Sequence, residues 1–255
     1  MKRSAKMLIR VIALALIAVM LLGTAAVFAA DNVKYTSAPQ IYQLVRDGYN
    51  GGTKGPISIV KGTFRSGWTS RSVYLVTLSG TEIVLNQSTE VLTDLFSGFN
   101  LNNAYYSNVV NIITQNIPKN ANLIIAGHSL GGMVAQQVAA NSTIKSRYNI
   151  LNTVTFGSPL LSAGTREGTV KRLGDVSDVV PILSVHTVFN TIWALGGLNR
   201  EDGGYYLRPI TAHNESYGRS DVWGKYDVVG TKNGGATLTL DLSTRVFYQS
   251  PIIDW

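Results

Sequence analysis

The chain is 255 residues long, a size that suits one α/β domain and leaves little room for a second large one. Its apolar share of 45% supplies a sizeable core, and the absence of cysteine excludes a disulfide scaffold, a thiolate metal site and a cysteine nucleophile together. The formal net charge is +7, but Lys2, Arg3, Lys6 and Arg10 crowd the first ten residues; without them 18 basic side chains face 15 acidic ones, and no basic cluster remains to bind nucleic acid.

Residues 1–10 are basic, residues 11–22 are apolar and uncharged, and residues 23–30 are small or apolar, ending Val27-Phe28-Ala29-Ala30. This is the layout of a secretory signal, and a cut after Ala29 leaves small residues where a signal peptidase needs them. Residues 1–29 are therefore expected to be a signal peptide and residues 30–255 one exported domain. An uncleaved anchor is the competing reading, because residues 11–30 form an apolar run of about twenty, enough to span a bilayer. Either reading puts the folded part outside the cytoplasm, secreted or held on the outer face of the membrane.

Beyond the leader, Pro39 opens a short helix over residues 39–47, and residues 48–55 are turn-rich. Residues 57–64 and 72–78 are β-branched and aromatic, which predicts paired strands. Apolar residues at 101, 105, 109, 112 and 113 predict an amphipathic helix stopped by Pro118. Residues 123–126 form a wholly apolar strand, residues 130–141 a helix and residues 151–156 a further strand. Another strand is expected at residues 170–173 or 179–183. Strands alternating with helices predict an α/β fold with a mostly parallel central sheet flanked by helices. Residues 226–248, with the turn signal Lys232-Asn233-Gly234-Gly235, are read as an antiparallel hairpin.

The chemistry concentrates at Gly127-His128-Ser129-Leu130-Gly131, set between an apolar strand and a helix. A G-x-S-x-G pentapeptide in that setting forms a sharp bend that lifts the serine out of the sheet, and any Cβ at Gly127 or Gly131 is expected to collide with the neighbouring strand and helix. The N–H of Leu130, at the start of the helix, has no partner within it and points at developing negative charge. The plainer reading is a glycine-rich turn in which Ser129 serves as helix N-cap. A serine hydroxyl needs a base, and the chain has three histidines. His128 belongs to the bend and is expected to point away from its neighbour; His186 sits in an apolar stretch; His213 lies in a polar, loop-like segment and is preferred. For the acid, Glu167, Asp175, Asp178, Glu201 and Asp202 all fall between Ser129 and His213. Asp178 is preferred, because Pro181 holds the following chain extended, and Asp175 stays open as an alternative.

Gly127-His128-Ser129-Leu130-Gly131-Gly132, then Thr155-Phe156-Gly157-Ser158-Pro159, then Asp178-Val179-Val180-Pro181 and a late His213 resemble, in that order, the class 3 lipases, the fungal-lipase-like branch of the α/β hydrolases. The resemblance implies an α/β-hydrolase fold, a Ser129–Asp178–His213 triad and an oxyanion hole formed at Leu130 and Thr81. Thr81 fits the hydroxyl position of the family's R-G-[ST] segment, whereas Ser79 stands where the family has Arg. The implied activity is hydrolysis of lipid esters through an acyl-enzyme on Ser129, with no cofactor and no metal. Residues 86–100, with Val91, Leu92, Leu95, Phe96 and Phe99 at helical spacing, read either as an amphipathic lid that meets a lipid–water interface or as a core-facing helix. Residues 182–198 read as acyl-pocket lining or core. Two rival functions stand beside this one: an exported esterase or acyltransferase using another acyl donor, and a non-catalytic, membrane-anchored binding protein that keeps the hydrolase fold.

Overall fold

The computed structural model describes residues 31–50, 52–80, 104–162, 164–182 and 197–251. The signal or anchor at residues 1–29, Thr81, the lid candidate at residues 86–100, His186 and most of the stretch 182–198 lie outside the described residues. Among the described residues, no helix is long and apolar enough to cross a membrane.

In chain order the elements are β1 (Asn32–Tyr35), α1 (Ala38–Arg46), β2 (Ile57–Ser66), β3 (Thr69–Leu78), α2 (Ala104–Asn116), β4 (Asn122–His128), α3 (Leu130–Ala140), α4 (Ser142–Arg147), β5 (Asn149–Phe156), β6 (Thr169–Asp175), β7 (Leu198–Glu201), α5 (Pro209–Glu215), α6 (Ser220–Trp223) and β8 (Thr237–Tyr248). They build one sheet in the order β1-β8-β2-β3-β4-β5-β6-β7. From β3 to β7 every pairing is parallel, as the alternation of strands and helices predicts. The other edge, β1-β8-β2-β3, is antiparallel.

Side chains alternate between the two faces, and so does the core. In β4, Leu123 and Ile125 pack on the face covered by α2 and α3, whereas Ile124 and Ala126 face α1 and the segment around Tyr217 and Trp223. A strand buried on both faces has to be apolar throughout, which is why this run was legible. Burying each such side chain contributes about 1.5–3 kcal/mol. The helix α1 starts one residue before the expected Pro39: Ser37 is its N-cap, Gln40 Oε1 accepts the Ser37 N–H at 3.1 Å, and Pro39 lies in the first turn.

Three expectations need correction. Residues 226–248 are not a hairpin. Among the described residues an isolated bridge, Tyr226 to Lys232, closes the loop of residues 227–231 ahead of the expected turn, and β8 pairs with β1 and β2 instead. The turn wraps around the buried Asp227 carboxylate, which accepts the N–H groups of Val229, Thr231 and Ala236, so a side chain takes the bonds a hairpin ladder would have used. Pro181 does not hold its segment extended, because Val180–Ile182 is one turn of 3-10 helix that follows the bond from Val180 N–H to Asp178 Oδ1. Finally, His213 is not on a loop but in the short helix α5, opened by Pro209 at its first turn.

Candidate active site

The parallel strands end at a common edge, and the candidate residues gather there. Ser129 sits between β4 and α3 with φ 56° and ψ −125°. That conformation is costly for any residue with a Cβ, by about 1–3 kcal/mol. It is held from both sides: Ser129 N–H donates to the Phe156 carbonyl on β5 at 2.9 Å, and the Ser129 carbonyl accepts from Gly132 and Met133. A Cβ at Gly131 would run into the Leu78 carbonyl, and one at Gly127 into the backbone of Gly131, so the bend closes only with glycine at both. Ser129 occupies the N-cap position of α3, but its hydroxyl makes no capping bond to the helix. Among the described residues its Oγ has no hydrogen-bond partner at all, although it is buried. Leu130 is the first residue of α3, where its N–H is one of the helix's orphan donors.

His213 and Asp178 meet. His213 Nδ1 lies 2.8 Å from Asp178 Oδ2, and both side chains are buried. The carboxylate is held by two further donors, Val180 N–H on Oδ1 at 2.9 Å and the Tyr217 hydroxyl on Oδ2 at 2.6 Å. Tyr217 in turn accepts Asp175 N–H at 3.1 Å, which leaves its proton for Asp178. Burial, with the nearby Asp178 charge, raises the Tyr217 hydroxyl well above the ordinary phenol range, so it stays a donor. A carboxylate can only accept, so Nδ1 of His213 carries a proton, and in the neutral ring Nε2 is the one that presents a lone pair. Nε2 is buried and, among the described residues, without a partner. Ser129 Oγ and His213 Nε2 are thus both buried and, among the described residues, both without a partner, so they are not hydrogen-bonded to each other in this structure; a proton transfer between them needs the two brought within hydrogen-bond reach.

Gly157, at the end of β5, has φ +54°, and a Cβ there would lie 2.8 Å from Asp178 Oδ2 and 2.9 Å from His213 Nδ1. The acid–base pair thus packs against bare backbone. The other acid candidate, Asp175, is engaged elsewhere: Ser177 N–H, Gly203 N–H and the Ser216 hydroxyl all donate to it, and it ties the end of β6 to the chain beyond α5. Glu201 is clamped by Lys225, Tyr226 and Lys232.

Sequence reasoning missed three participants. Tyr217 holds the acid. Tyr49 Oη lies 2.7 Å from His128 Nδ1. His128, set aside on sequence grounds, lies ring against ring with His213, centroids 4.6 Å apart. Their partners are 39, 79 and 85 positions away in the chain, so no local pattern could announce them. Among the described residues no group of three His, Cys, Asp or Glu side chains is arranged to hold a metal ion.

The family model for Lipase (class 3) matches residues 64–188. That span contains Ser129, Leu130 and Asp178 and ends before His213. Among solved structures, the crystal structure of M37 lipase is similar at 12% identity and a TM-score of 0.35, over 71% of this chain and 86% of that one, a likeness too loose to bear on the site. No curated protein is significantly similar in sequence.

Proposed function

From the premise that this chain belongs, across residues 64–188, to the class 3 lipase family, we propose that it is an exported serine hydrolase of lipid esters that works through an acyl-enzyme on Ser129. One observation carries the reading: a buried serine held at φ 56° with an unpartnered hydroxyl, at the same sheet edge as an imidazole whose Nδ1 is tied to Asp178 and whose Nε2 is also unpartnered.

In this reading Ser129 Oγ attacks the ester carbonyl as His213 Nε2 takes its proton. Asp178 keeps Nδ1 protonated and stabilises the imidazolium. The oxyanion forms against the N–H of Leu130, with Thr81 as the second donor the family resemblance implies. His213 then protonates the departing alcohol, and water activated by the same imidazole releases the acid. Acyl glycerols presented at a lipid–water interface are the favoured substrate class. Export rests on the basic, apolar and small-residue layout of residues 1–30.

Ser129→Ala is expected to lower kcat on p-nitrophenyl and triacylglycerol esters by about three or more orders of magnitude with folding retained. A fluorophosphonate should label the peptide containing Ser129 in protein lacking residues 1–29. Ester hydrolysis that survives Ser129→Ala sinks the proposal.

A further inference from the structure

A chain of hydrogen bonds passes beside Ser129 without touching its hydroxyl. Gly80 N–H, at the end of β3, lies 2.7 Å from Tyr49 Oη. Tyr49 Oη lies 2.7 Å from His128 Nδ1, and His128 Nε2 lies 3.0 Å from the backbone carbonyl of His213. Each end permits one role only. The His213 carbonyl can only accept, so His128 Nε2 carries its proton; in the neutral ring Nδ1 is then a lone pair, so Tyr49 donates to it; and the Tyr49 oxygen accepts from Gly80, which can only donate. A protonated His128 would present an N–H to Tyr49 as well, which would place two donors, Gly80 and His128, on one oxygen. Burial, followed by the neighbouring His213 and Arg46, holds His128 well below the ordinary imidazole range, in agreement with the neutral form.

The helix at the far end of this chain needs such support. α5 has seven residues, too few to be stable alone, and the carbonyls of its last turn have no partner within it. His128 takes the His213 carbonyl, and the Tyr42 hydroxyl takes the next one, Asn214, at 2.9 Å. The His128 ring also backs the His213 ring at 4.6 Å, while Tyr42 meets His128 edge-on at 5.3 Å.

We propose that Tyr49 and His128 are positioning residues that lock the base helix carrying His213 to the strand end at Gly80, so that base and oxyanion site keep register across Ser129. The proposal rests on the ester-hydrolase reading and adds to it a pair whose neutral, single-tautomer state is part of the working geometry.

Tyr49→Phe removes one oxygen and keeps the ring. It should lower kcat about 10- to 100-fold, as small misplacements of reacting groups do, with KM within about threefold and the folded protein retained. His128→Leu should fall as far or further, and His128→Gln, whose amide can still donate to the His213 carbonyl, should recover part of the loss. Imidazole ¹⁵N–¹H correlation spectra of the wild-type protein provide a test that needs no variant: His128 should appear as the neutral Nε2–H tautomer, and Tyr49→Phe should mix its tautomers. An Nδ1–H tautomer in the wild type, or folded Tyr49→Phe and His128→Leu proteins with kcat within twofold of it, overturns the proposal. If Ser129→Ala is inactive in the same assay, that failure belongs to the positioning pair alone; if Ser129→Ala is active, the underlying reading has failed instead.

Discussion

Two residues at opposite ends of the sheet share almost the same backbone angle. Gly67, in the turn between β2 and β3, has φ +55°, and Ser129, at the edge where the parallel strands end, has φ 56°. Around Gly67 nothing lies within 4 Å of where a Cβ would be, and the next residue, Trp68, is fully exposed. Glycine makes the turn there at no steric cost. Ser129 adopts its angle with a Cβ present and fully buried, fixed by a bond to Phe156 and by the close approach of Gly131 to Leu78. Asn120, Ser162, Tyr206 and Asn233 also take positive φ without being glycine; in the proposed function the strain at Ser129 is held for the sake of its hydroxyl. The far end of the sheet answers to solvent, and the site end to a constellation of atoms.

That contrast can be broken by experiment, and the largest effect should come from the acid. Asp178→Asn preserves shape but offers a donor where His213 Nδ1–H needs an acceptor, so the wrong tautomer faces Ser129. Turnover should fall about 10⁴-fold with only a modest change in melting temperature, and a loss below tenfold would show that another group holds the base. Next comes Gly157→Ala. A methyl group 2.8 Å from Asp178 Oδ2, on a residue at φ +54°, should cost about 1–3 kcal/mol in urea unfolding and, beyond that, lower kcat by displacing the pair. Retained stability with lost turnover would sharpen the comparison; unchanged values for both would refute it. The smallest effect belongs to the far end: Trp68→Ser should leave unfolding free energy within about 0.5 kcal/mol and kcat unaltered.

What could be read from the letters was what is local. The bend at Ser129, β4 and α3 were legible because a wholly apolar strand, three glycines and an apolar helix follow one another within twenty residues. The order of the motifs then implied Asp178 and His213. Short edge elements carried no such pattern: β1 and β7 have four residues each, too few for any alternation to signal a strand. The helix α5 was missed because its seven residues are too few and too mixed to show a helical period, and it is held by bonds from Tyr42 and His128, both distant in the chain. The supposed C-terminal hairpin failed for the opposite reason: its turn signal was real, and Asn233 does take a positive φ, but Asp227 organises the loop instead. Polar contacts between distant segments leave no periodicity, and those contacts decide how the site is held.

The backbone at Ser129 sets thermal endurance and turnover at odds. Glycine would sit at φ 56° without the 1–3 kcal/mol or so that a Cβ costs there, so Ser129→Gly should raise the melting temperature while ending hydrolysis. Directed evolution of this protein for heat survival alone would enrich clones that have discarded the proposed nucleophile, and libraries screened for ruggedness would have to be scored for product in the same round.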